Sequence, residues 1–396
     1  MDISSSPAIG SPPATASLAR PAPRLIAVFA LLAALTLVPV ATGADSYVVH
    51  LLMSVFIFAT LGHAWNLMAG FGGMLSFGQQ VFIGLAGFSE AILIYYAAAP
   101  MAAVWIFAGL VPLAFAMLLV VPMGFKRPVR RSWALGAALC LAVGYEIAVT
   151  LWPELDLFGD AFTRRASLLL FLFLGALPLL RLRGAHFAIA TWLIAESVAT
   201  IFNGWPLAGA GGGMQINAGV DALTLYYLAL GLAAAVTLGI FLSMRSTYGL
   251  ALMAVRDDEE AAESSGIDVM RIKTAIFLIG AFVTGLAAGL YFMDAMIITP
   301  ASGFSISWAS YVVFVAVAGG MGTVSGPLIG AVLFVIVDRI LGQMSGQGQL
   351  GVLGLISIAL MLFLPQGLAG LLDRRGGHRP ALTRSLQQPS TSGEAQ

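Results

Sequence analysis

The stretch YVVHLLMSVFIFATLGHAWNLMA, residues 47–69, contains no Asp, Glu, Lys or Arg and decides the fold class of this chain. A hydrocarbon core about 30 Å thick needs roughly 20 apolar residues per spanning helix, so this stretch is long enough to cross a membrane. Of the 396 residues, 59% are hydrophobic and 10% are charged, whereas about 25% of residues are charged in a typical soluble domain. The sequence therefore predicts an all-α polytopic membrane protein, and it excludes a soluble enzyme or a nucleic-acid-binding protein.

Further apolar stretches set the expected number of helices. The twelve stretches lie at about 24–43, 47–69, 80–98, 102–124, 133–151, 166–182, 184–203, 221–244, 272–293, 304–318, 326–342 and 350–371. The stretch 304–318 is short for a span, and those near 80 and 326 begin beside glycine-rich loops, which is typical of broken or re-entrant segments. We therefore expect about 10–12 transmembrane or re-entrant helices.

The two ends of the chain are polar. Residues 1–23 are rich in Ser, Pro and Ala, and residues 373–396 are similarly polar, so neither end has enough apolar surface to offset the entropy of ordering it. We expect disordered tails around a membrane domain of residues 24–372. The run 25–40 also fits a cleaved signal peptide, although it is long enough to anchor the chain and further spans follow it.

Lysine and arginine are unevenly distributed between the loops, and cytoplasmic loops carry the excess in membrane proteins. With twelve spans, the basic clusters on the side of the N-terminus are Arg20 and Arg24, residues 126–131, Arg181 and Arg183, residues 245–273, and the arginines from Arg374 to Arg384. The loops 44–46, 99–101, 204–220, 294–303 and 343–349 contain neither residue type, and only Arg164 and Arg165 break the pattern. This distribution predicts that both termini are cytoplasmic.

The longest strongly polar stretch between spans is RSTYGLALMAVRDDEEAAESSGIDVMRIK, residues 245–273. Leu250, Met253 and Ala254 recur at helical spacing, and a dense polar run follows them. This pattern predicts a surface helix over 249–263 that lies on the membrane and meets a partner. The alternative is a solvated loop with an incidental helix.

Glycines indicate where the chain turns. Gly266 favours a stop after the predicted surface helix, and Asp268 is suited to cap the next helix. The stretches GGMLSFG (72–78) and GGMGTVSG (319–326) echo each other, and each opens an apolar helix. Such an echo indicates duplicated halves, which are common in transporters, or a chance likeness of two glycine-rich turns.

Several polar side chains fall inside apolar stretches, where they are costly and therefore candidates for function. The acids among them include Glu90, Glu196 and Asp338, and for Glu196 the alternative is structural pairing with His186 or Asn203. Asn66, Ser76, Gln79 and Gln80 cluster around the first glycine-rich loop, where backbone N–H groups and helix starts are suited to bind a substrate carboxylate. Interhelical hydrogen bonding and capping are the alternative for this second group.

Four motifs carry a resemblance to a known family. Residues 256–267 read RDDEEAAESSGI, with Arg271 and Lys273 after them; residues 66–79 contain NLMAG and SFGQ; residues 181–188 read RLRGAHFA, with Thr191 and Glu196 beyond; and residues 319–331 read GGMGTVSGPLIGA. Together they resemble the LivM-type permease subunits of bacterial ABC importers for branched-chain amino acids, within the LivH/LivM family, over roughly residues 45–372. Two stretches depart from the family: 208–214 reads AGAGGGM where the family often has T-G-G-x-x-G-L, and 125–165 looks like an inserted pair of apolar runs.

The resemblance implies a non-catalytic, multi-pass pore subunit in a bacterial inner membrane that imports branched-chain or related amino acids. Its implied partners are two ATP-binding subunits, a homologous LivH-type permease and a periplasmic solute-binding protein. ATP and Mg²⁺ are then bound by the ATP-binding subunits, and this chain holds no cofactor or metal. The sequence agrees in containing no G-x-x-x-x-G-K-[ST] phosphate loop.

The resemblance also implies roles for particular residues. Coupling to the ATP-binding subunit falls to Gly249, Arg256, Asp257, Asp258, Glu259, Glu260, Ala261, Ala262 and Gly266. The candidate translocation pathway comprises Asn66, Ser76, Gln79, Thr191, Glu196, Gly319 and Gly320. Two alternatives stay open: a permease for urea or another small polar solute, and an ion-coupled secondary transporter, which would leave residues 245–273 without a role.

Overall fold

The computed structural model describes residues 34–43, 46–97, 100–120, 184–342, 346–364 and 367–370. The predicted tails 1–23 and 373–396, the probable insert 125–165 and the apolar stretches 133–151 and 166–182 lie outside the described residues. The predictions made for those segments stay predictions.

The regular structure of the described residues is almost entirely helical. After a helical segment over 34–42, the helices are α1 (Tyr47–Asn66), α2 (Gln79–Ala97), α3 (Met101–Val120), α4 (Ala185–Asn203), α5 (Ala222–Met244), α6 (Thr247–Asp257), α7 (Glu259–Ser264), α8 (Val269–Ala295), α9 (Pro300–Gly303), α10 (Ser307–Gly319), α11 (Gly326–Leu341) and α12 (Gly346–Phe363). A π-helical turn, Leu67–Phe71, extends α1, and Pro206–Ala208 is a 3₁₀ turn. Two short strands, β1 (Met214–Gln215) and β2 (Ile297–Ile298), form one antiparallel pair. The predicted all-α class is confirmed.

Five helices of the described residues are long and apolar enough to cross a membrane. They cover Tyr47–Phe71, Ala185–Asn203, Ala222–Met244, Val269–Ala295 and Pro300–Gly319. The last of these is broken between α9 and α10, as expected for the short stretch 304–318. The chain is therefore a multi-pass membrane protein.

Short polar residues start several helices by accepting a hydrogen bond from a free backbone N–H group. Ser46 accepts from Val49 (3.3 Å), Asp221 from Thr224 (3.1 Å) and Asp268 from Arg271 (3.2 Å). Hydrogen bonds from the side chain and backbone of Thr224 also lower the pKa of Asp221. The predicted cap at Asp268 is confirmed.

Helix α1 lies at the centre of the bundle, where it packs against α5, α8, α10 and α11. Of its apolar span, 72% is buried, against 33% for α5 at the perimeter. Helix α8 packs on α2 and α3 as well, and its glycines allow close approach. A Cβ at Gly285 would overlap the carbonyl oxygen of Ala108, which has no intrahelical donor because Pro112 lacks an N–H group.

The two ends of the bundle are built differently. We call the end that carries residues 245–273 the basic end. At the opposite end, β1 pairs with β2, so that Met214 lies opposite Ile298. The sequence did not predict this pairing, because two-residue strands leave no period to detect. The loop before β1 uses left-handed glycines, and a Cβ at Gly213 (φ +84°) would overlap the Ile298 carbonyl oxygen.

Candidate functional site

Residues 245–273 contain two short helices, α6 and α7, rather than the single helix predicted over 249–263. The break falls at Asp258, which is extended (φ −157°, ψ 111°). Its carboxylate accepts hydrogen bonds from the N–H groups of Glu260 (2.9 Å) and Ala261 (3.1 Å), and so caps α7. The predicted turn at Gly266 is confirmed, because this residue has φ +85°, which favours glycine.

The apolar stripe predicted on α6 is not the face that this chain buries. Leu250 is 64% exposed, and Met253 and Ala254 are half-buried. The buried residues of the two helices are Gly249, Leu252, Val255 and Ala262. The physical reason is that α6 packs on the end of α5, on the π-helical turn and on α8. Contact with the bundle, rather than with the membrane surface, selects the buried face.

Most acidic residues of this segment have partners within the chain. Asp257 pairs with Arg256, with 2.8 Å between Oδ1 and Nη2. Glu259 forms an ion pair with Lys273 at the start of α8, and the Lys273 side chain is only 5% exposed. Because a buried ammonium group is very costly unless it is paired, this pair fixes α7 to α8. Part of the predicted acidic run is therefore paired within the chain, while Asp257, Glu260 and Ala261 lie at the surface.

The second glycine-rich stretch lies against the end of α1, shortly before the first glycine-rich stretch begins. We call residues 72–78 the first glycine turn and residues 320–325 the second glycine turn. Asn66, fully buried at the end of α1, accepts the N–H of Gly322 at Oδ1 (2.8 Å) and donates from Nδ2 to the Thr323 carbonyl (2.9 Å). Gly70 has no room for a side chain, since a Cβ would overlap Asn66 Oδ1 and lie 2.6 Å from the Gly322 nitrogen. We call these four residues the glycine junction.

Arg256 reaches the glycine junction from α6. Its Nη1 donates to the carbonyl of Gly70 at 3.4 Å. A Cβ at Gly73, in the first glycine turn, would lie 3.3 Å from the Arg256 Cγ. The segment 245–273, the end of α1 and both glycine turns therefore meet at one place at the basic end.

The first glycine turn is held from three sides. Trp65 Nε1 donates to the Ser76 carbonyl (2.8 Å), and the Phe77 N–H donates to Thr191 Oγ1 (3.2 Å). Gln79, which begins α2, accepts a hydrogen bond from Thr284 Oγ1 (3.1 Å). Ser76 and Thr191 also line a small, mostly apolar recess together with Ile194 and Phe277 of neighbouring helices. Three predicted pathway residues, Ser76, Gln79 and Thr191, are thus brought together.

The remaining predicted pathway residues lie elsewhere. Gly319 ends α10 and Gly320 begins the second glycine turn, where the Thr323 hydroxyl donates to the Gly320 carbonyl (2.8 Å). Glu196 lies on the exposed face of α4, away from both turns. In the part of the chain that the structure describes, its carboxylate has no ion pair or hydrogen bond, so the alternative pairing with His186 or Asn203 is absent there.

Two fully buried polar side chains have no hydrogen-bond partner among the described residues. They are Gln80, next to Gln79 at the start of α2, and Glu90 in the middle of that helix. Glu90 faces protein, as expected for an acid within an apolar stretch, and its carboxylate lies against Gly289 of α8. Asp338, the third acid, is half-buried near the end of α11.

Sequence reasoning identified many of these residues but missed their partners. It did not connect Asn66 with Gly322 and Thr323, or Glu259 with Lys273. The echo between the two glycine-rich stretches was the available signal for the first contact. For the second, the signal was a lysine placed shortly after an acidic run, which alone does not distinguish a buried pair from a solvated charge.

Helices broken at glycine turns within a multi-pass helical bundle are typical of membrane transporters. The family model described as "Branched-chain amino acid transport system / permease component" matches residues 166–365, about half of the chain. The chain belongs to this family. The expected LivM-type resemblance is confirmed.

Individual relatives agree with this family. The LivM high-affinity branched-chain amino acid transport system permease protein of Salmonella typhimurium strain LT2 is 26% identical over 312 residues, covering 79% of this chain and 67% of the relative. LivM of Escherichia coli K12 is 26% identical over 268 residues, covering 60% and 61%. The xylose transport system permease protein XylH of Escherichia coli K12 is 28% identical over 110 residues, covering 27% and 28%. The matches span about two thirds or less of each relative, and no solved structure matches.

Proposed function

We propose that this chain is the non-catalytic, pore-forming subunit of an ATP-driven importer in the inner membrane of a bacterium. The observation that carries the proposal is the firm attachment of α6 and α7 to the bundle. Asp258 caps α7, the Glu259–Lys273 ion pair ties it to α8, and Arg256 contacts the end of α1. A transporter that works alone has no use for such a segment, whereas an importer powered by a separate protein needs one.

The surface of α6 and α7 suits a protein partner. Tyr248 is 78% exposed and Leu250 is 64% exposed, and Ala261 lies exposed on α7. Large exposed apolar side chains bordered by charged residues are typical of the centre and rim of a protein interface. We place one ATP-binding subunit here and a second on the partner permease. The buried Gly249 and Ala262 then support this surface, and ATP and Mg²⁺ bind to the ATP-binding subunits rather than to this chain.

An exposed acid within an apolar helix argues for a second permease subunit. Glu196 lies on the exposed side of α4, whose span is 39% buried within this chain. A carboxylate that faces lipid is costly, whereas one that faces water or polar groups of a neighbouring subunit is not. A LivH-type permease covering this face would place Glu196 beside the translocation pathway. Residues of the two glycine turns, with Asn66 and Thr191, would form the inner part of this translocation pathway.

The distribution of basic residues favours a cytoplasmic location for the basic end. Both termini then lie in the cytoplasm, with residues 24–372 as the membrane domain between two tails. The opposite end, where β1 pairs with β2, faces the periplasm and receives a solute-binding protein.

The substrate class proposed for this chain is branched-chain or related amino acids. The family description and the LivM relatives support it. Similarity to a xylose permease over 110 residues keeps another small polar solute, including urea, as the alternative. The glycine-rich loop 208–214, which departs from the family pattern, lies on the periplasmic side in this arrangement.

The test is reconstitution of this chain in proteoliposomes with the ATP-binding, second permease and solute-binding proteins encoded beside it. Labelled leucine is the first probe, and unlabelled xylose and urea are competitors. Leucine uptake that requires both ATP and the ATP-binding subunits supports the proposal. Uptake by this chain alone, driven by a sodium or proton gradient, would refute it.

A matched set of tryptophan substitutions tests the docking surface. Ala261→Trp adds a bulky group at an exposed position and is expected to release the ATP-binding subunit while the chain stays folded. Ala262→Trp adds the same group at a buried position and is expected to lower the melting temperature instead. Ala301→Trp, exposed at the opposite end, is the control and should change neither property. Normal binding and transport by Ala261→Trp would place the docking surface elsewhere.

A further inference from the structure

Arg256 connects the segment 245–273 with both glycine turns. Its Nη1 donates to the Gly70 carbonyl at 3.4 Å, while Nη2 and Nε pair with Asp257 at 2.8 and 2.9 Å. A Cβ at Gly322 would lie 3.5 Å from Nη1, and one at Gly73 would lie 3.3 Å from Cγ. The guanidinium group therefore lies beside the second turn, and the alkyl part of the side chain lies beside the first.

The place that Arg256 occupies suits a cation. Because the π-helical turn ends at Phe71, the Gly70 carbonyl belongs to the last turn of the helix, where carbonyl groups lack helical partners and the helix dipole is negative. Single π-helical turns are also frequent at functional sites. A hydrogen bond of 3.4 Å is weaker than one near 2.9 Å, so a small movement of α6 is enough to form or break it.

Movement at this point would pass into two membrane helices. The first glycine turn leads directly into α2, and the second leads directly into α11. Asn66 ties the end of α1 to the second turn through two hydrogen bonds. A displacement at Gly70 would therefore reach the beginnings of both helices without passing through the core.

We propose that Arg256 is a positioning residue that transmits movement of α6 to the two glycine turns. The proposal rests on the proposed function, because the movement comes from an ATP-binding subunit docked on α6 and α7. It gives Arg256 a role distinct from docking, since the contacts of its guanidinium group lie within this chain. The exposed residues Tyr248, Leu250 and Ala261 form the docking surface itself.

The experiment compares Arg256→Gln and Arg256→Lys with Arg271→Gln in the complete reconstituted importer. Arg271 is a matched control, because it lies in the same segment, its side chain is 79% exposed and its ion pair is with Asp268. The readouts are co-purification of the ATP-binding subunit, melting temperature, ATP hydrolysis stimulated by leucine-loaded binding protein, and leucine uptake. Arg256→Gln should still co-purify with the ATP-binding subunit and keep its melting temperature. Its ATP hydrolysis should no longer be stimulated by the binding protein, and its leucine uptake should fall about ten-fold, a typical size for coupling between sites. Arg256→Lys should recover part of the loss, and Arg271→Gln should behave as the unmodified chain.

A reporter in the second glycine turn follows the movement directly. Ser325→Cys places a thiol at an exposed position of that turn, in a Cys140→Ala background, and its rate of maleimide labelling is measured with and without ATP. Addition of ATP should change the rate with Arg256 present and leave it unchanged with Arg256→Gln.

Three results would overturn this role. The first is an ATP-dependent labelling change that persists in Arg256→Gln, and the second is normal uptake by that variant. The third is a lower melting temperature, or a loss of co-purification, in both Arg256→Gln and Arg256→Lys. Failure of the proposed substrate looks different: leucine is not transported by the unmodified complex, yet the labelling change occurs and still depends on Arg256.

Discussion

Three buried amide side chains near the first glycine turn differ in how many hydrogen bonds they make, and this difference ranks the cost of removing them. Asn66, Gln79 and Gln80 are each at most 1% exposed. Asn66 bonds two backbone groups, Gln79 accepts from one hydroxyl and makes only a long donor contact to the Met68 sulfur (3.9 Å), and Gln80 has no partner among the described residues. The substitutions Asn66→Leu, Gln79→Met and Gln80→Met keep a similar volume and remove the amide.

The expected losses follow from the groups left behind. Asn66→Leu leaves the Gly322 N–H and the Thr323 carbonyl unpaired, at about 1–3 kcal/mol for each buried group, and water offsets part of this because both residues are half-buried. We expect a loss of about 2–4 kcal/mol in the free energy of unfolding. Gln79→Met should cost about 1 kcal/mol, since the Thr284 hydroxyl can rotate toward another acceptor. Gln80→Met removes a polar group that has no partner, so it should be neutral or stabilising.

The assay is thermal unfolding of each purified variant in detergent, followed by the fluorescence of the seven tryptophans. The expected order of melting temperatures is Gln80→Met highest, Gln79→Met next and Asn66→Leu lowest. If Gln80→Met lowered the melting temperature as much as Asn66→Leu, hydrogen bonding would not explain the stability of this region.

Three further predictions use the same unfolding measurement. Gly289→Ala should cost about 1–3 kcal/mol, because the new Cβ overlaps Glu90 Oε1 and lies 2.8 Å from the Ala108 Cβ; addition of Glu90→Ala should recover part of this loss, and strictly additive effects would contradict the contact. Gly266→Val should lower the free energy of unfolding by at least about 1–2 kcal/mol through its φ of +85° alone, since the space around it is open. The control Gly231→Ala, also in open space but helical, should be neutral or slightly stabilising. An equal loss of stability at both sites would refute the backbone argument. Glu259→Met should cost about 3–5 kcal/mol, because it leaves the Lys273 ammonium group buried and unpaired. The double variant with Lys273→Met should regain most of that loss, and a double variant no better than Glu259→Met would count against the pair.

Much of the fold could be predicted from the sequence, because membrane thickness sets the length of each span. The stretch predicted at 184–203 corresponds to Ala185–Asn203, and that at 221–244 to Ala222–Met244. The larger errors occur where a polar residue, rather than the membrane, sets the boundary. Helix α8 begins at Val269, before the predicted apolar stretch, because Asp268 caps it there.

The site was less predictable, because it depends on contacts between distant parts of the chain. Helical spacing on α6 allows two neighbouring stripes, and only packing against α5, α8 and the π-helical turn selects the one that includes Leu252 and Val255. Similarly, the composition around Asn66 indicated a buried polar residue at a glycine turn. Nothing local to it specified partners more than 250 positions away.

The hydrogen bonds of Asn66 join residues that a ribosome makes far apart in time. Asn66 and Thr323 are separated by 257 positions, and at about 5–20 residues per second the second of them follows the first by roughly 10–50 s. During that interval the amide needs temporary partners such as water, because an unpaired amide in an apolar environment is costly. Closure of the central helix end is therefore a late event in the biogenesis of this protein. A nascent chain interrupted before residue 320 contains its early spans but not the backbone groups that pair with the Asn66 side chain.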